Sequence, residues 1–203
     1  SEETIDEWET AAAAGGIVAS PCPYIISGVQ TLGPVKINCN LEISGNANVT
    51  LAGTIWVSGD IVIKNNAILR VAGALSGKSV VIIADNPANQ LSASTVKIEN
   101  NTAFLGAGDG SYVLVVSRNR SAFSGGSVRA IEIANQVDAG SVLVYAPTGE
   151  ILLQNNASLR EVTAYRIHVK NNAQVTYETG LAHTLFDSGP GGGYEILDWQ
   201  EVE

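Results

Sequence analysis

The segment IVIKNNAILRV (61–71) sets the pattern of this chain, because the same form recurs five more times. In each copy two apolar residues flank a third residue, which is usually polar; an Asn-rich turn follows, and a second β-like stretch usually comes after the turn. Repetition of one short unit predicts a solenoid in which each coil rests on the previous one. The other copies are LEISGNANVTL (41–51), VKIENNTAFLG (96–106), IEIANQVDAGS (131–141), ILLQNNASLRE (151–161) and IHVKNNAQVTY (167–177).

The spacing of the repeats agrees with coils of about 20 residues. Aligned on the turn, the successive gaps are 20, 35, 35, 20 and 16 residues. A gap of 35 corresponds either to two coils or to one coil that carries a loop. The repetitive part therefore predicts about eight coils, wound right-handed as parallel crossovers usually are.

The predicted fold is all-β: a single-stranded, right-handed parallel β-helix with a short N-terminal capping helix. The helix is assigned to residues 1–16, the solenoid with its Asn-rich turns to 17–180, and a tail with a Gly-rich loop and a final strand to 181–203. We expect the helix to cover one open end of the rod, and the tail to pack along the rod or cover the other end. The alternative is a β-sandwich with Asn hairpin turns, against which stands an aromatic content of only 6%.

Asparagine at the turns predicts a ladder of side-chain amides. Asn tolerates left-handed backbone angles, and its amide both donates and accepts hydrogen bonds. We expect these amides to be buried, so that Asn156→Ala destabilises the protein whereas Asn119→Ala, outside the repeat, does not. The ladder is predicted at Asn46, Asn66, Asn101, Asn156 and Asn172, with Gln136 at the equivalent position of the fourth copy.

The two cysteines, Cys22 and Cys39, are 17 positions apart, close to the length of one coil. If the two cysteines lie on neighbouring coils, they are close enough to form a disulfide. The alternative is a pair of reduced thiols that face the core. Two Cys alone do not provide the four ligands of a structural zinc site, and no metal site is predicted.

Few residues of the sequence are candidates for ligand binding or catalysis. A possible ligand surface combines Trp56 with Glu99 and Glu132, which occupy equivalent outward positions if the repeats are aligned at their apolar pairs. The alternatives are a solvated charged face and a Trp covered by the helix or tail. Asp109, in the AGDGS run, offers one oxygen ligand for calcium, but a simple Asp-Gly turn explains it as well. We expect no catalytic residues and no cofactor.

The net charge of the chain disfavours some classes of binding partner. A net charge of −9 repels the phosphates of nucleic acids, so no nucleic-acid partner is expected. No apolar run reaches the ~18 residues that a membrane span needs.

Several stretches resemble the ectodomains of bacterial type IV prepilin-like surface proteins. They are IDEWETAAAAGG (5–16), TLGPVKIN (31–38), LAGTIWVSGDIVIKNNAILRV (51–71), VLVYAPTGEILLQNNASLREVTAYRIHVKNNAQVTYETGL (142–181) and FDSGPGGGYEILDWQEVE (186–203). In that family an apolar N-terminal helix precedes a β-solenoid. The resemblance implies membrane attachment only through a segment absent from this chain, and no catalytic residues.

These observations predict a non-enzymatic, extracellular or cell-surface domain that acts in filament assembly or adhesion. Its partners would be other surface or pilus subunits or a glycan. The alternative function is a carbohydrate-binding or polysaccharide-cleaving β-solenoid.

Overall fold

The structure, a computed structural model, describes residues 1–137, 140–176 and 185–187. Helix α1 (Glu2–Ala14) comes first, with Ser1 as its N-cap and Glu2 and Glu3 in its first turn. The described residues after it form short strands that pair in parallel, coil upon coil. The predicted parallel β-helix is therefore confirmed, with seven coils in the described part of the chain where about eight were expected.

The coils follow one another in chain order. Coil 1 holds β1 (Ile17–Val18), β2 (Tyr24–Ile26) and β3 (Val29–Leu32), coil 2 holds β4 (Val35–Ile37), β5 (Leu41–Ile43) and β6 (Asn48–Leu51), and coil 3 holds β7 (Ile55–Val57), β8 (Ile61–Ile63) and β9 (Ile68–Val71). Coil 4 holds β10 (Lys78–Ala84), β11 (Val96–Glu99) and β12 (Ala103–Leu105), and coil 5 holds β13 (Val113–Ser117) and β14 (Ile131–Ala134). Coil 6 holds β15 (Val142–Leu153) and β16 (Ser158–Leu159), and coil 7 holds β17 (Glu161–Val169) and β18 (Gln174–Val175).

The coils form three faces. Face A stacks β1, β4, β7, β10, β13 and the first half of β15, face B stacks β2, β5, β8, β11, β14 and the second half of β15, and face C stacks β3, β6, β9 and β12. The long strand β17 continues both faces A and B beneath β15. Strand β11 pairs directly with β8 on one side and with β14 on the other. Each 35-residue gap is thus one coil carrying a loop, at 85–95 in one case and 118–130 in the other.

The core consists of aliphatic rows stacked in register. The row Ile43, Ile63, Ile98, Ile133 and Leu153 runs down face B, and each of these side chains is at most 1% exposed. Alternation along each short strand sends one residue outward between two inward ones, as in Ile61, Val62 and Ile63. The core needs few aromatic residues, because each coil places its aliphatic side chains directly against those of the next.

Helix α1 does not cap an end of the rod, contrary to the sequence-based expectation. It lies along the outer side of face A, where Ile5 and Trp8 pack against Val81, Ile83 and Val116. In β10 the run Val80–Ile83 is apolar at every position, so this strand is buried on both sides. The helix therefore covers an apolar strip on the flank of the solenoid.

Only a short part of the predicted tail is described. Strand β19 (Leu185–Phe186) pairs in parallel with the start of β10, so this part lies along the rod. The Phe186 ring packs against Trp8 with a centroid separation of 5.1 Å. The Gly-rich loop at 189–193 and the predicted final strand lie outside the described residues.

A disulfide joins Cys22 to Cys39, whose Cα atoms are 5.8 Å apart. The first cysteine precedes β2 and the second precedes β5. The covalent bond therefore ties coil 1 to coil 2 at the end of the rod where the solenoid begins.

Asn119 has a structural role that the repeat did not predict. Its side chain is fully buried, donates to the Ala93 carbonyl at 2.7 Å and accepts from the Ser121 backbone N–H at 3.0 Å. The bond to Ala93 joins the loop at 118–130 to the loop at 85–95, and the bond from Ser121 lies within the loop at 118–130. Contrary to the sequence-based expectation, the burial and hydrogen bonds of Asn119 indicate that its replacement by Ala destabilises the protein.

We predict that Asn119→Ala lowers the free energy of unfolding by about 1–3 kcal/mol, because it leaves buried polar groups without partners. Asn156→Gly serves as the control: Asn156 is exposed in a turn with φ 62°, and its loss is expected to cost under ~0.5 kcal/mol. Denaturant titration of both variants measures the difference. A larger effect at Asn156 would contradict this assignment.

Candidate functional site

The corner between faces B and C carries two parallel rows of turn residues. Both residues of each turn have left-handed backbone angles, and in the first coil to join the rows one of the two residues is Gly45. Asn and Gly tolerate that conformation best, which explains the recurring Asn pair. The first row is Gly45, Asn65, Asn100, Asn135, Asn155 and Asn171, and the second row is Asn46, Asn66, Asn101, Gln136, Asn156 and Asn172.

Backbone bonds hold the two rows in register. The N–H of each second-row residue donates to the carbonyl of the first-row residue on the next coil, as from Asn66 to Asn100 at 2.9 Å. The same bond recurs from Asn46 through Asn156 at 3.0 to 3.2 Å. The side-chain rows therefore inherit the register of the coils.

The first row forms a continuous amide ladder. Asn100 donates from Nδ2 to Asn65 Oδ1 at 3.1 Å, and Asn135 donates to Asn100 at 3.0 Å. Asn155 donates to Asn135 and Asn171 to Asn155, each at 2.9 Å. The sequence predicted an Asn ladder, and the structure contains one. Its longest run, however, lies in the first row, whereas the prediction named the second row.

The second row, which the sequence predicted, is bonded only at its start. Asn66 donates to Asn46 at 3.1 Å and Asn101 donates to Asn66 at 3.3 Å. Among the described residues, no side-chain bond continues this row through Gln136, Asn156 and Asn172. The longer Gln side chain takes the place of an Asn at the point where the bonded run ends.

The predicted row of amides is exposed rather than buried, which corrects the sequence-based expectation, and the first row is exposed or half-buried. In the second row, Asn46, Asn66, Asn101, Asn156 and Asn172 are all exposed. The residue that enters the core is the one after each pair, Ala67 for example, which is 0% exposed. The amides are thus a surface feature fixed to a rigid backbone.

A shallow depression of about 390 Å³ lies on this corner at coils 4 to 6. All the residues that line it are Asn or Gln: Asn100, Asn101, Asn135, Gln136, Asn155 and Asn156. A first-row amide within the ladder uses one N–H and one oxygen lone pair and keeps the others for a ligand. The depression therefore presents donors and acceptors without any charge.

The predicted acidic pair on face B is not equivalent in register. Lys97, not Glu99, stands opposite Glu132, and Glu99 stands opposite Ala134. Glu99 instead pairs with Lys97 at 3.0 Å. Glu132 accepts a hydrogen bond from the Gln154 amide at 3.0 Å and lies 3.5 Å from Arg129. The two acids thus belong to separate paired groups on a charged outer face.

Trp56 does not share a surface with these acids. It points outward from face A, where it packs at the border of the strip covered by α1. Its indole Nε1 donates to the Asp85 carbonyl at 3.0 Å, and the Lys36 ammonium lies 3.4 Å from its ring centroid. The alternative of a covered Trp describes this residue better than a sugar-stacking platform does.

Other candidate groups are dispersed. Asp109 is exposed in the turn between β12 and β13. His168 Nδ1 lies 3.3 Å from Glu150, whose carboxylate also meets Arg166 at 3.0 Å. Within residues 1–137, 140–176 and 185–187, no three His, Cys, Asp or Glu side chains are grouped as a metal site requires.

A buried acid pair, Glu9 and Asp85, escaped the sequence-based reasoning. Asp85 is 0% exposed and Glu9 is 7% exposed, and both face the guanidinium of Arg118. The sequence contains two signals of this buried pair. One is that Glu9 lies on the apolar side of the helix, next to Trp8. The other signal is that Asp85 directly follows the apolar run at 80–84 in β10.

Neither a family model, nor a curated protein, nor a solved structure matches this chain. Where the structure describes the chain, no helix has the length and apolar character required to cross a membrane.

We predict that Asn66→Ala is more destabilising than Asn66→Gly by about 1 kcal/mol, because an Ala at φ 61° is strained and Gly is not. Both variants lose the same two ladder bonds, so the difference isolates the backbone requirement. At Val62, an ordinary strand position, the order should reverse. Denaturant midpoints of the four variants test this, and the same order at both positions would contradict it.

Proposed function

We propose that this chain is an exported, non-enzymatic interaction domain of a pilin-like or other cell-surface protein, acting in filament assembly or adhesion. The observation that carries the proposal is the exposed corner of stacked amides on a rigid solenoid. Backbone bonds and the ladder hold these side chains in place before any partner arrives, which reduces the entropy cost of binding.

The Cys22–Cys39 bond supports the location. Structural disulfides persist in oxidising compartments such as the periplasm and the cell surface, and they are rare in the reducing cytosol. The bond joins the first two coils, where an unprotected solenoid would begin to fray. An exported rod gains most from a covalent tie at that end.

The location is tested on the protein in its native cells. We expect an antibody to reach it on intact cells, and we expect Cys22 and Cys39 to resist a thiol reagent until a reductant is added. The reading frame upstream of Ser1 should encode a prepilin cleavage site and an apolar helix. Reduced cysteines in a cytosolic fraction, with no such upstream segment, would overturn the proposal.

A second candidate function, carbohydrate binding, is favoured by the lining of the depression. Its six amides donate and accept hydrogen bonds and carry no charge, which matches the hydroxyl groups of a neutral glycan. The net charge of −9 disfavours an anionic polymer. The candidate surface is therefore the amide corner, and not the area around Trp56, Glu99 and Glu132.

We predict that if a neutral oligosaccharide binds, the double variant Asn101→Gly/Asn156→Gly weakens its binding about tenfold or more, because two hydrogen-bonding amides are removed. Gly suits the left-handed turn at both positions. The matched control is Asn46→Gly, in the same row but outside the depression, which should bind normally. Calorimetric titration with neutral oligosaccharides decides, and binding that the double variant leaves unchanged would exclude this site.

A further inference from the structure

We propose that Glu9, Asp85 and Arg118 form a proton-dependent latch that holds helix α1 against face A of the solenoid. This inference goes beyond the proposed function and does not depend on it. It concerns the flank of the rod that carries the helix, away from the amide corner.

The geometry places two buried carboxyl groups against one guanidinium. Arg118 Nη1 lies 3.5 Å from Asp85 Oδ2 and 3.6 Å from Glu9 Oε1, and only 2.6 Å from Asp6 Oδ1. Its short bond therefore goes to the exposed Asp6. The Asp85 Oδ2 and Glu9 Oε1 atoms are buried and have no hydrogen-bond partner.

One proton resolves the conflict between the two acids. Burial, followed by the charge of Asp85, raises the pKa of Glu9 to about 8. Burial also raises the pKa of Asp85, but the Gln90 amide, which donates to Oδ1 at 2.8 Å, and the Arg118 charge favour its ionised form. The proton therefore resides on Glu9, and Asp85 is the anion that faces Arg118.

Within the described part of the chain, the charged groups around Glu9 and Arg118 come from three places. Asp85 follows β10, Arg118 follows β13, and Asp6 and Glu2 lie on α1 itself, where Glu2 is 3.8 Å from Arg118. With Glu9 protonated, Arg118 balances Asp85 and is shared with Asp6. Loss of the proton adds a second buried anion, and among residues 1–137, 140–176 and 185–187 no further cation is paired with it.

The direction of the pH dependence follows from linkage. Docked Glu9 keeps its proton up to about pH 8, whereas in an undocked helix it is deprotonated above its ordinary value of 4.5. Undocking thus releases a proton within that range. The docked state is strongest below the lower value, weakens by up to about tenfold per pH unit toward the upper value, and then levels off.

Release of the latch has a defined structural consequence. The strip formed by Val81, Ile83 and Val116 on face A is covered by Ile5 and Trp8. Undocking exposes this strip, while the coils beneath remain paired through their own backbone bonds. The flank is therefore held most firmly under acidic conditions and least firmly above about pH 8.

The test compares the intact chain with Glu9→Gln, which keeps a hydrogen-bond donor near Asp85 but cannot ionise. The measurement is amide hydrogen exchange of α1 between pH 6 and 9. Taking the ratio of wild-type to variant protection cancels the intrinsic pH dependence of exchange. We expect this ratio to fall by up to about tenfold per pH unit to pH 8 and then to level off. A ratio that stays constant would overturn the latch.

The matched control is Glu7→Gln, which removes the same charge from the exposed side of the same helix. It should follow the wild-type profile. In the unmutated protein, the Glu9 carboxyl resonance should titrate near pH 8, together with the indole resonance of Trp8. Titration of Glu9 below pH 6 would also overturn the latch, even if Glu9→Gln failed to fold.

Discussion

In-register stacking of parallel coils is the constraint on which the rest of this structure depends. Every backbone bond between coils fixes which residue lies above which, so a side chain that enters the core must fit its neighbours on both sides. The row of Ile43, Ile63, Ile98 and Ile133 meets that requirement by repeating one residue type. Extra residues are accepted where they leave the rod, as in the loops at 85–95 and 118–130, because the paired strands keep their register.

The asparagine rows are a consequence of the same constraint. The turn between faces B and C needs two successive left-handed residues, and stacking places each turn over the previous one. Asn serves both needs at once, since its backbone tolerates the angle and its amide bonds to the next rung. The exposed ladder adds little net stability, because water competes for the same amide groups. Its main effect is to order a polar surface on top of an apolar core.

The parallel β-helix and its turns could be predicted from the repeat, because the side chains of one coil specify the register of the next. The Asn pairs identified the turns, but which Asn of each pair extends the ladder depends on side-chain directions at the corner. The match of Glu99 with Glu132 was wrong by two residues. The strands pair Val96 with Ile131, and this register places Glu132 level with Lys97. The position of α1 was missed since it depends on outward side chains, and the unbroken apolar run Val80–Ile83 was its available signal.

A helix that packs on a repetitive surface needs something to fix its position along that surface. The backbone of face A repeats about every 4.8 Å, but its outward apolar residues do not, and Val81, Ile83 and Val116 favour the level of β10 and β13 for Ile5 and Trp8. Asp85 and Arg118 occur at one level only, and a buried Glu9 placed away from them would lack the Arg118 cation that faces it. A buried polar contact is less stabilising than a well-packed apolar one of similar size, but it specifies a single register. The cost of burying Glu9 away from Arg118 therefore adds to these apolar contacts in fixing the position of α1 on the rod, and the proton that lowers this cost makes the stability of that position depend on pH.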